Sequence, residues 1–536
     1  MTRRFNEGFI LNIPKHNLLR FRLSSVASNL RTFARFNKIP CLNPLKQLAG
    51  QTAIYGLSSI VARVINFFFV PLYTRMLTTG NYGLASELLA YIALLQVVLT
   101  FGMETGFFRF ASRDKSRSEV IFSTALMSLG VTSLSFLLLI ILFSGQLSAF
   151  AEHPASYIIY SALILAIDCF TAILFAELRF KNKAFKFALF RSIKIFSEVS
   201  FNLVLFLLLP KYFITHPDSF LLRFIPATPD YGYILMAILL SCVVSLVLFL
   251  PRLLKLHFVF SKQQFRELMI YSLPLMIAGL PGVANDFISR IFFRFFAPAT
   301  SPWQDQLGIF NANVKLAVFM VLFVQMFRYA AEPFFFSSSL RADMKKIYAD
   351  VMKYFVAFCV LIFLGIAMYP ELFALLLGKS FRSGIAVLPI MLIANILLGV
   401  VFNLSMWYKL SGKTQYALTI TLLGLGINLL INIIFMPVYG FMAAAWGYLF
   451  SYLAMVIFSY YLSRKYYPIP YDWKTIILYF LTGIALYLVS VFIAPASLGF
   501  RIALNTLYII AFVLFVLKRE KIDFKRLKSL LIPAKP

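Results

Sequence analysis

Charge is scarce in this 536-residue chain: 13% of its residues are Asp, Glu, Lys or Arg, against about a quarter in soluble domains. Acids are scarcer still, 21 against 50 Lys and Arg. That shortage excludes an ordinary soluble domain. The net charge of +29 does not point to nucleic acid, because the bases sit in short breaks between apolar runs and form no patch on a groove-binding fold. Cysteine is equally rare. Cys41, Cys169, Cys242 and Cys359 lack metal-like spacing and form no disulfide framework; three lie inside apolar runs and read as small core hydrophobes. The four histidines, His16, His153, His216 and His257, fall in the N-terminal arm and three different loops, so no catalytic histidine constellation is expected. A phosphate-binding GxxxxGK[ST] loop is missing too. The expectation is a non-enzyme with no cofactor, no metal and no ATP hydrolysis of its own, driven by gradients, the membrane potential or consumption of product.

What the chain has in excess is apolar length: 61% hydrophobic residues and 17% aromatics. Fourteen runs of about 20 residues or more cover 52–75, 83–106, 120–143, 156–178, 185–209, 232–250, 268–295, 308–331, 352–377, 384–408, 416–436, 440–463, 475–494 and 499–517. Each is long enough to cross a hydrocarbon core of about 30 Å as a helix, and open strands cannot satisfy their backbone groups in lipid. The sequence therefore predicts an all-α polytopic membrane protein of about 14 transmembrane helices. Both end segments and alternate loops hold 36 Lys and Arg, while the opposite loops hold six, namely Arg75, Lys211, Arg223, Lys379, Arg382 and Arg501. That asymmetry predicts a multi-pass inner-membrane protein with both termini cytoplasmic. Residues 1–50 carry nine Lys or Arg against Glu7 alone and lack the continuous apolar core of a secretory signal. They read as a basic cytoplasmic arm suited to anionic headgroups.

An internal repeat organises the runs. INFFFVPLYTRMLTTGNYGLASELL in the first copy parallels SRIFFRFFAPATSPWQDQLGIFNANVKL in the second, each with an aromatic stretch, a short loop and a glycine, Gly83 or Gly308, opening the next helix. Aligning Asn182 with Gly412 further sets Glu198 on Asn428 and Asn202 on Asn432. An even number of spans per copy gives both the same orientation, related by an axis along the membrane normal. The expected domains are an N-terminal arm (1–50), an N-lobe (51–255), a C-lobe (256–466), two extra helices (467–517) and a basic tail (518–536), with a central cavity between the lobes.

Charges inside the runs then mark the candidate site. Arg63 sits near the middle of the first run, and Tyr55, Ser59, Arg63 and Asn66 share one helical stripe. An arginine at membrane mid-depth costs about 2.5 kcal/mol or more unless it meets water, an acid or an anionic ligand. The fifth run repeats the pattern with Arg191, Lys194, Glu198 and Asn202, in which Lys194 and Glu198 could simply pair with each other. The seventh has Asp286, Arg290 and Arg294, preceded by Gly279, Pro281 and Gly282, a loosened stretch that reads as a hinge or a static kink. Arg63, Lys194, Arg290, Arg191 and Lys315, with Tyr55, Ser59 and Asn66, are the cavity candidates. Asp168, Glu198 and Asp286 are the charge-partner or coupling candidates. Arg294, Lys353 and Arg328 lie near helix ends and are expected to snorkel to the interface.

The run LKQLAGQTAIYGLSSIVARVINFFFVPLYTRMLTTGNYG, the block GKTQYALTITLLGLGINLLINIIFMPVYGFMAAAWGYL from Gly412 and the LLGKSF turn at Leu376 together resemble the Wzx-type polysaccharide flippases of the multidrug/oligosaccharidyl-lipid/polysaccharide exporter superfamily. The resemblance covers roughly residues 46 to 517. It implies a V-shaped cavity between two lobes that opens alternately to each side, and an undecaprenyl-pyrophosphate-linked oligosaccharide as substrate. Implied partners are that lipid-linked glycan, membrane lipids and other polysaccharide-assembly proteins. The long basic arm and the polar stripe of the fifth run are not part of the family pattern. Cation-coupled drug export, lipid II flipping on the same fold and, less favoured for want of a sizeable outer loop, a membrane glycan polymerase or ligase are the alternatives.

Overall fold

The computed structural model describes residues 64–65, 67–223, 225–337, 343–493, 495 and 497–521. The N-terminal arm, the basic tail and the candidates Tyr55, Ser59, Arg63 and Asn66 lie outside the described residues. Among the described residues every regular element is helical, and 12 helices are long and apolar enough to cross a membrane, or 13 when a bent pair is counted as one span. The expected total of 14 is therefore not reached, since the described part of the first run covers little more than residues 67–76.

We number the elements α1 (67–76), α2 (Thr79–Thr100, resuming as Met103–Arg113), α3 (Ser118–Leu142), α4 (Ala155–Phe180), α5 (Ala184–Leu203), α6 (Tyr231–Leu253), α7 (Lys262–Phe296), α8 (Trp303–Leu316, resuming as Val318–Ser337), α9 (Met344–Ala367), α10 (Val387–Leu404), α11 (Gln415–Tyr439), α12 (Phe441–Tyr466), α13 (Trp473–Phe492) and α14 (Leu498–Arg519). Local chemistry sets several boundaries. Thr78 caps α2 through its side-chain oxygen, Asp230 caps α6 and Asp472 caps α13, each satisfying an amide that a helix start leaves unpaired. The α2 break is a left-handed pair, Phe101 and Gly102, with φ of 49° and 65°. Helix α8 bends by 51° at its break, and α5 runs on through a π turn, Val204–Leu208.

The helices are described in two groups, divided at the α6–α7 connection where the sequence repeat divides them. Helices α2 to α6 pack on one another, with α3 on α4 and α5 on α6. Helices α7 to α12 form the second group, in which α11 runs along both α7 and α12. Glycines permit the α11–α12 approach: a methyl at Gly424 would strike Met455, and one at Gly447 would strike the Asn428 and Asn432 amides. Helices α13 and α14 dock on α9. There Asn505 donates to the Met368 carbonyl at 2.6 Å and Lys353 meets Glu520 at 2.7 Å. The groups meet chiefly where α2 packs against α7 and α8.

The loosened stretch of α7 stays helical. The helix runs unbroken for 35 residues through Gly279, Pro281 and Gly282, with Pro274 and Pro281 inside it. The breaks lie instead in α2 and α8, the two helices that join the groups.

Candidate functional site

The polar stripe of α5 faces protein rather than lipid. Lys194 does not pair with Glu198, one turn away; its ammonium contacts Asp168 of α4 at 2.5 Å, with side-chain exposures of 13% and 22%. The Cys242 thiol of α6 donates to the same carboxylate at 3.3 Å. Glu198 lies one turn beyond Lys194 on the same face of α5 and is half-buried. One turn on, fully buried Asn202 accepts from the Tyr73 hydroxyl at 2.7 Å and donates to the Glu198 carbonyl at 2.9 Å. Lys315 reaches this cluster from α8, its ammonium 5.3 Å from the Tyr82 ring centre. The fold thus brings Asp168 and Lys194 together from α4 and α5, and Lys315 of α8 approaches the same stripe through Tyr82, whose ring lies 6.2 Å from that of Tyr73, the partner of Asn202. Arg191 is left out: it is exposed, with its guanidinium 5.2 Å from the Phe175 ring.

Arg290 and Asp286 form a second cluster on α7. The Asp286 carboxylate accepts from the Tyr452 hydroxyl at 2.7 Å, and its carbonyl accepts from Tyr448 at 2.5 Å. Arg290 donates to that carbonyl at 3.3 Å and lies 4.8 Å from the Phe287 ring, with its Nε buried and unpartnered. Behind it, Asn285, Ser289, Asn428, Asn432 and Ser451 form a buried amide network. Asn428 donates to the Asn285 carbonyl at 3.0 Å, and Ser451 to the Asn285 side chain at 2.9 Å. The positions aligned between the copies therefore differ in chemistry: one holds the acid Glu198, a turn from Lys194, while the other, Asn428, bonds other amides. In the second half the amide network lies behind the charged pair Asp286 and Arg290, while in the first the charged Glu198 occupies the aligned position itself.

Arg294 does not snorkel. Its guanidinium grips Glu87 of α2 at 2.7 and 2.9 Å, donates to the Ala151 carbonyl at 2.5 Å and is 9% exposed. Glu87, fully buried, is also met by His153 at 3.1 Å, and the other ring nitrogen of His153 lies 3.0 Å from the Tyr231 hydroxyl. Around this pair the groups touch closely. Asn311 donates to Ser86 at 2.7 Å, Thr79 meets Asp305, and the Gly378 amide donates to Thr74 at 3.0 Å. A carboxylate inside a membrane needs such partners. No local motif announces His153, 66 residues from Glu87; the unmatched acid in the second run was the signal available.

At the other end of α2 to α6 the ion pairs stay within the first group. Arg252 of α6 holds Glu177 of α4 at 2.6 Å and Glu119 of α3 at 2.6 Å, and Lys181 joins both acids at 2.6 and 2.8 Å. Burial works against charge on Lys181, but the two carboxylates outweigh it and raise its pKa above the usual lysine range. Arg179 pairs with Glu104. Among the described residues, the ion pairs bridging the two groups are those of Arg294 with Glu87 and Glu152.

A family model described as polysaccharide biosynthesis protein matches residues 48–339, and the chain belongs to that family. No curated protein matches it significantly. Among solved structures it is similar to the lipid II flippase MurJ in an inward closed conformation, with a TM-score of 0.65, 13% identity, and coverage of 87% of this chain and 99% of that one. An outward-facing multidrug transporter of the MATE family gives a TM-score of 0.46, 14% identity, and coverage of 76% and 95%. The fold is thus that of MurJ-like membrane transporters. Among the described residues no group of His, Cys, Asp or Glu is arranged to hold a metal ion.

Proposed function

We propose that the protein is a flippase that moves an isoprenoid-pyrophosphate-linked oligosaccharide from the cytoplasmic to the outer leaflet of the inner membrane, by alternating access between its two helical groups. It acts as a transporter and not an enzyme, with both termini in the cytoplasm. The observation that carries this reading is Lys194, held by Asp168 one turn from Glu198, with Lys315 of the other group approaching the same stripe through Tyr82. A pyrophosphate carries two or more negative charges and binds cations through charge-assisted hydrogen bonds. It would compete with Asp168 for Lys194 and draw on Lys315, so that binding alters contacts spanning both groups. A ligand shifts a conformational equilibrium only through such differential contacts. The family supports a glycan cargo, and the likeness to a lipid II flippase keeps peptidoglycan precursor as the second reading.

The test is reconstitution. Purified protein in vesicles is loaded with fluorescent prenyl-pyrophosphate glycans of different headgroups, and transfer to the far leaflet is followed by enzymatic access. The expected outcome is transfer of an oligosaccharide-linked lipid in preference to lipid II. Faster transfer of lipid II would favour the peptidoglycan reading, and no transfer of any prenyl-pyrophosphate glycan would reject both.

A further inference from the structure

A second cationic site lies away from the interior, where the α4–α5 turn meets the end of α6. It is a cavity of about 400 Å³, lined by Lys181, Lys183, Lys186 and Arg252 against the single carboxylate of Glu177, with Phe190 and Phe249 in its wall. Glu177 is already engaged by Lys181 and Arg252, and Glu119 by the same two bases. With these two acids set against the four bases, the pocket keeps two positive charges in excess. Lys183 and Lys186 supply them: both are exposed and, among the described residues, neither has a carboxylate partner, while Lys186 lies over the Phe190 ring at 5.1 Å. Helix α5 starts between them without a side-chain cap, so its first amides and its dipole add positive potential there.

The apolar surround identifies the ligand. Phe185 (78% exposed) and Leu189 on α5, with Leu250 and Leu254 (78% exposed) around the end of α6, leave greasy flanks on both helices beside the basic pocket. A soluble anion has no use for such flanks; an amphiphile does. We propose that this pocket binds the phosphodiester headgroup of an anionic phospholipid, with its acyl chains lying along the exposed faces of α5 and α6. Basic pockets between membrane helices suit such headgroups, and each nearby base adds attraction to an anionic leaflet. The lysines flank the start of α5, the helix that carries Lys194, so an occupied pocket would brace the site helix against α4 and α6. This site stands independently of the proposed cargo.

Native mass spectrometry of the full-length protein tests it. Detergent-solubilised protein is titrated with phosphatidylglycerol, with phosphatidylcholine of the same acyl chains and with inorganic phosphate. Saturable retention of phosphatidylglycerol is expected, with little retention of phosphatidylcholine and no displacement by millimolar phosphate. Lys183→Ala with Lys186→Ala should weaken phosphatidylglycerol binding about thirtyfold, roughly fivefold per lysine. The control pair Lys345→Ala with Lys346→Ala, on exposed bases at the start of α9, should leave it within about twofold if general surface attraction, screened in solution, is the only effect it loses. Equal retention of phosphatidylcholine, ready displacement by phosphate, or a double variant at positions 183 and 186 that binds like the parent would each overturn the proposal.

Discussion

Gly83 of α2 and Gly308 of α8 face each other across the two helical groups in a reciprocal contact. A methyl on Gly83 would strike the Gln304 carbonyl, one turn before Gly308, and a methyl on Gly308 would strike the Thr79 carbonyl, one turn before Gly83. The exchange of partners fits the expected two-fold relation between the copies, and it makes the pair a close backbone approach of α2 and α8.

Gly308→Val should therefore separate the groups. Two branched methyls pressed into backbone, with no side chain able to yield, cost about 1 to 3 kcal/mol or more. We expect a lower melting temperature and loss of complementation in a deletion strain. Gly145→Val, at a glycine with open space around it, should be tolerated in the same assay.

The Glu87–Arg294 pair gives a second outcome. Arg294→Gln leaves a buried carboxylate without its bidentate partner, a loss of about 3 to 5 kcal/mol for a broken buried pair. His153 and the Tyr91 hydroxyl, 3.3 Å from its Oε1, remain beside it. The double variant with Glu87→Gln removes the orphaned charge and should recover part of the melting temperature. Single-cysteine labelling near Ser86 should rise in both if the pair closes this end, and unchanged labelling would show that the contact at the glycines suffices.

Inside the bundle, Lys194→Ala should abolish glycan transport while leaving Asp168 with the Cys242 thiol as its one described neutral donor. Lys194→Arg keeps the charge and should retain a measurable fraction of the rate. Alanine at Lys315 or Arg290 should lower transport with near-normal expression. Full complementation by all three alanine variants would reject a cationic headgroup site.

The attachment of α14 should depend on pH. Burial tends to raise the Glu520 pKa, but hydrogen bonds from Lys353, Tyr479 and Tyr354 outweigh it and hold the carboxyl below its ordinary value near 4.3. A depressed folded pKa means that the stabilisation is present above the unfolded pKa and is lost as pH falls through the lower, folded one. Melting temperature should hold from neutrality to about pH 5 and decline below about pH 4. Glu520→Gln should lower it at neutral pH and flatten that decline.

Much of the fold was legible because lipid leaves few options. Apolar length predicts helices, and all thirteen runs after the first correspond to helices in the structure. Breaks were less legible. Gly279, Pro281 and Gly282 spell a weak point that packing against α11 leaves helical, while the real break at Phe101 and Gly102 rests on left-handed backbone in one apolar and one small residue. At the site, periodicity correctly put Lys194, Glu198 and Asn202 on one stripe, yet it could not choose Asp168 over Glu198 as the lysine's partner. That choice depends on how α4 lies against α5. Arg294 was misread for the same reason, since the acid that holds it is 207 residues away in the chain.

The glycine contact also sets a gearing. Gly83 lies about 6 Å along α2 from Glu87 and about 26 Å from the Thr100 end, at 1.5 Å per residue. A rotation of about 15° about that point, typical of rigid-body switches, would move the far end roughly 7 Å but stretch the Glu87 pair by only about 1.5 Å. On such a rotation the ion pair would sit on the short arm of a lever, with a small displacement at Glu87 matched by a larger one at the Thr100 end.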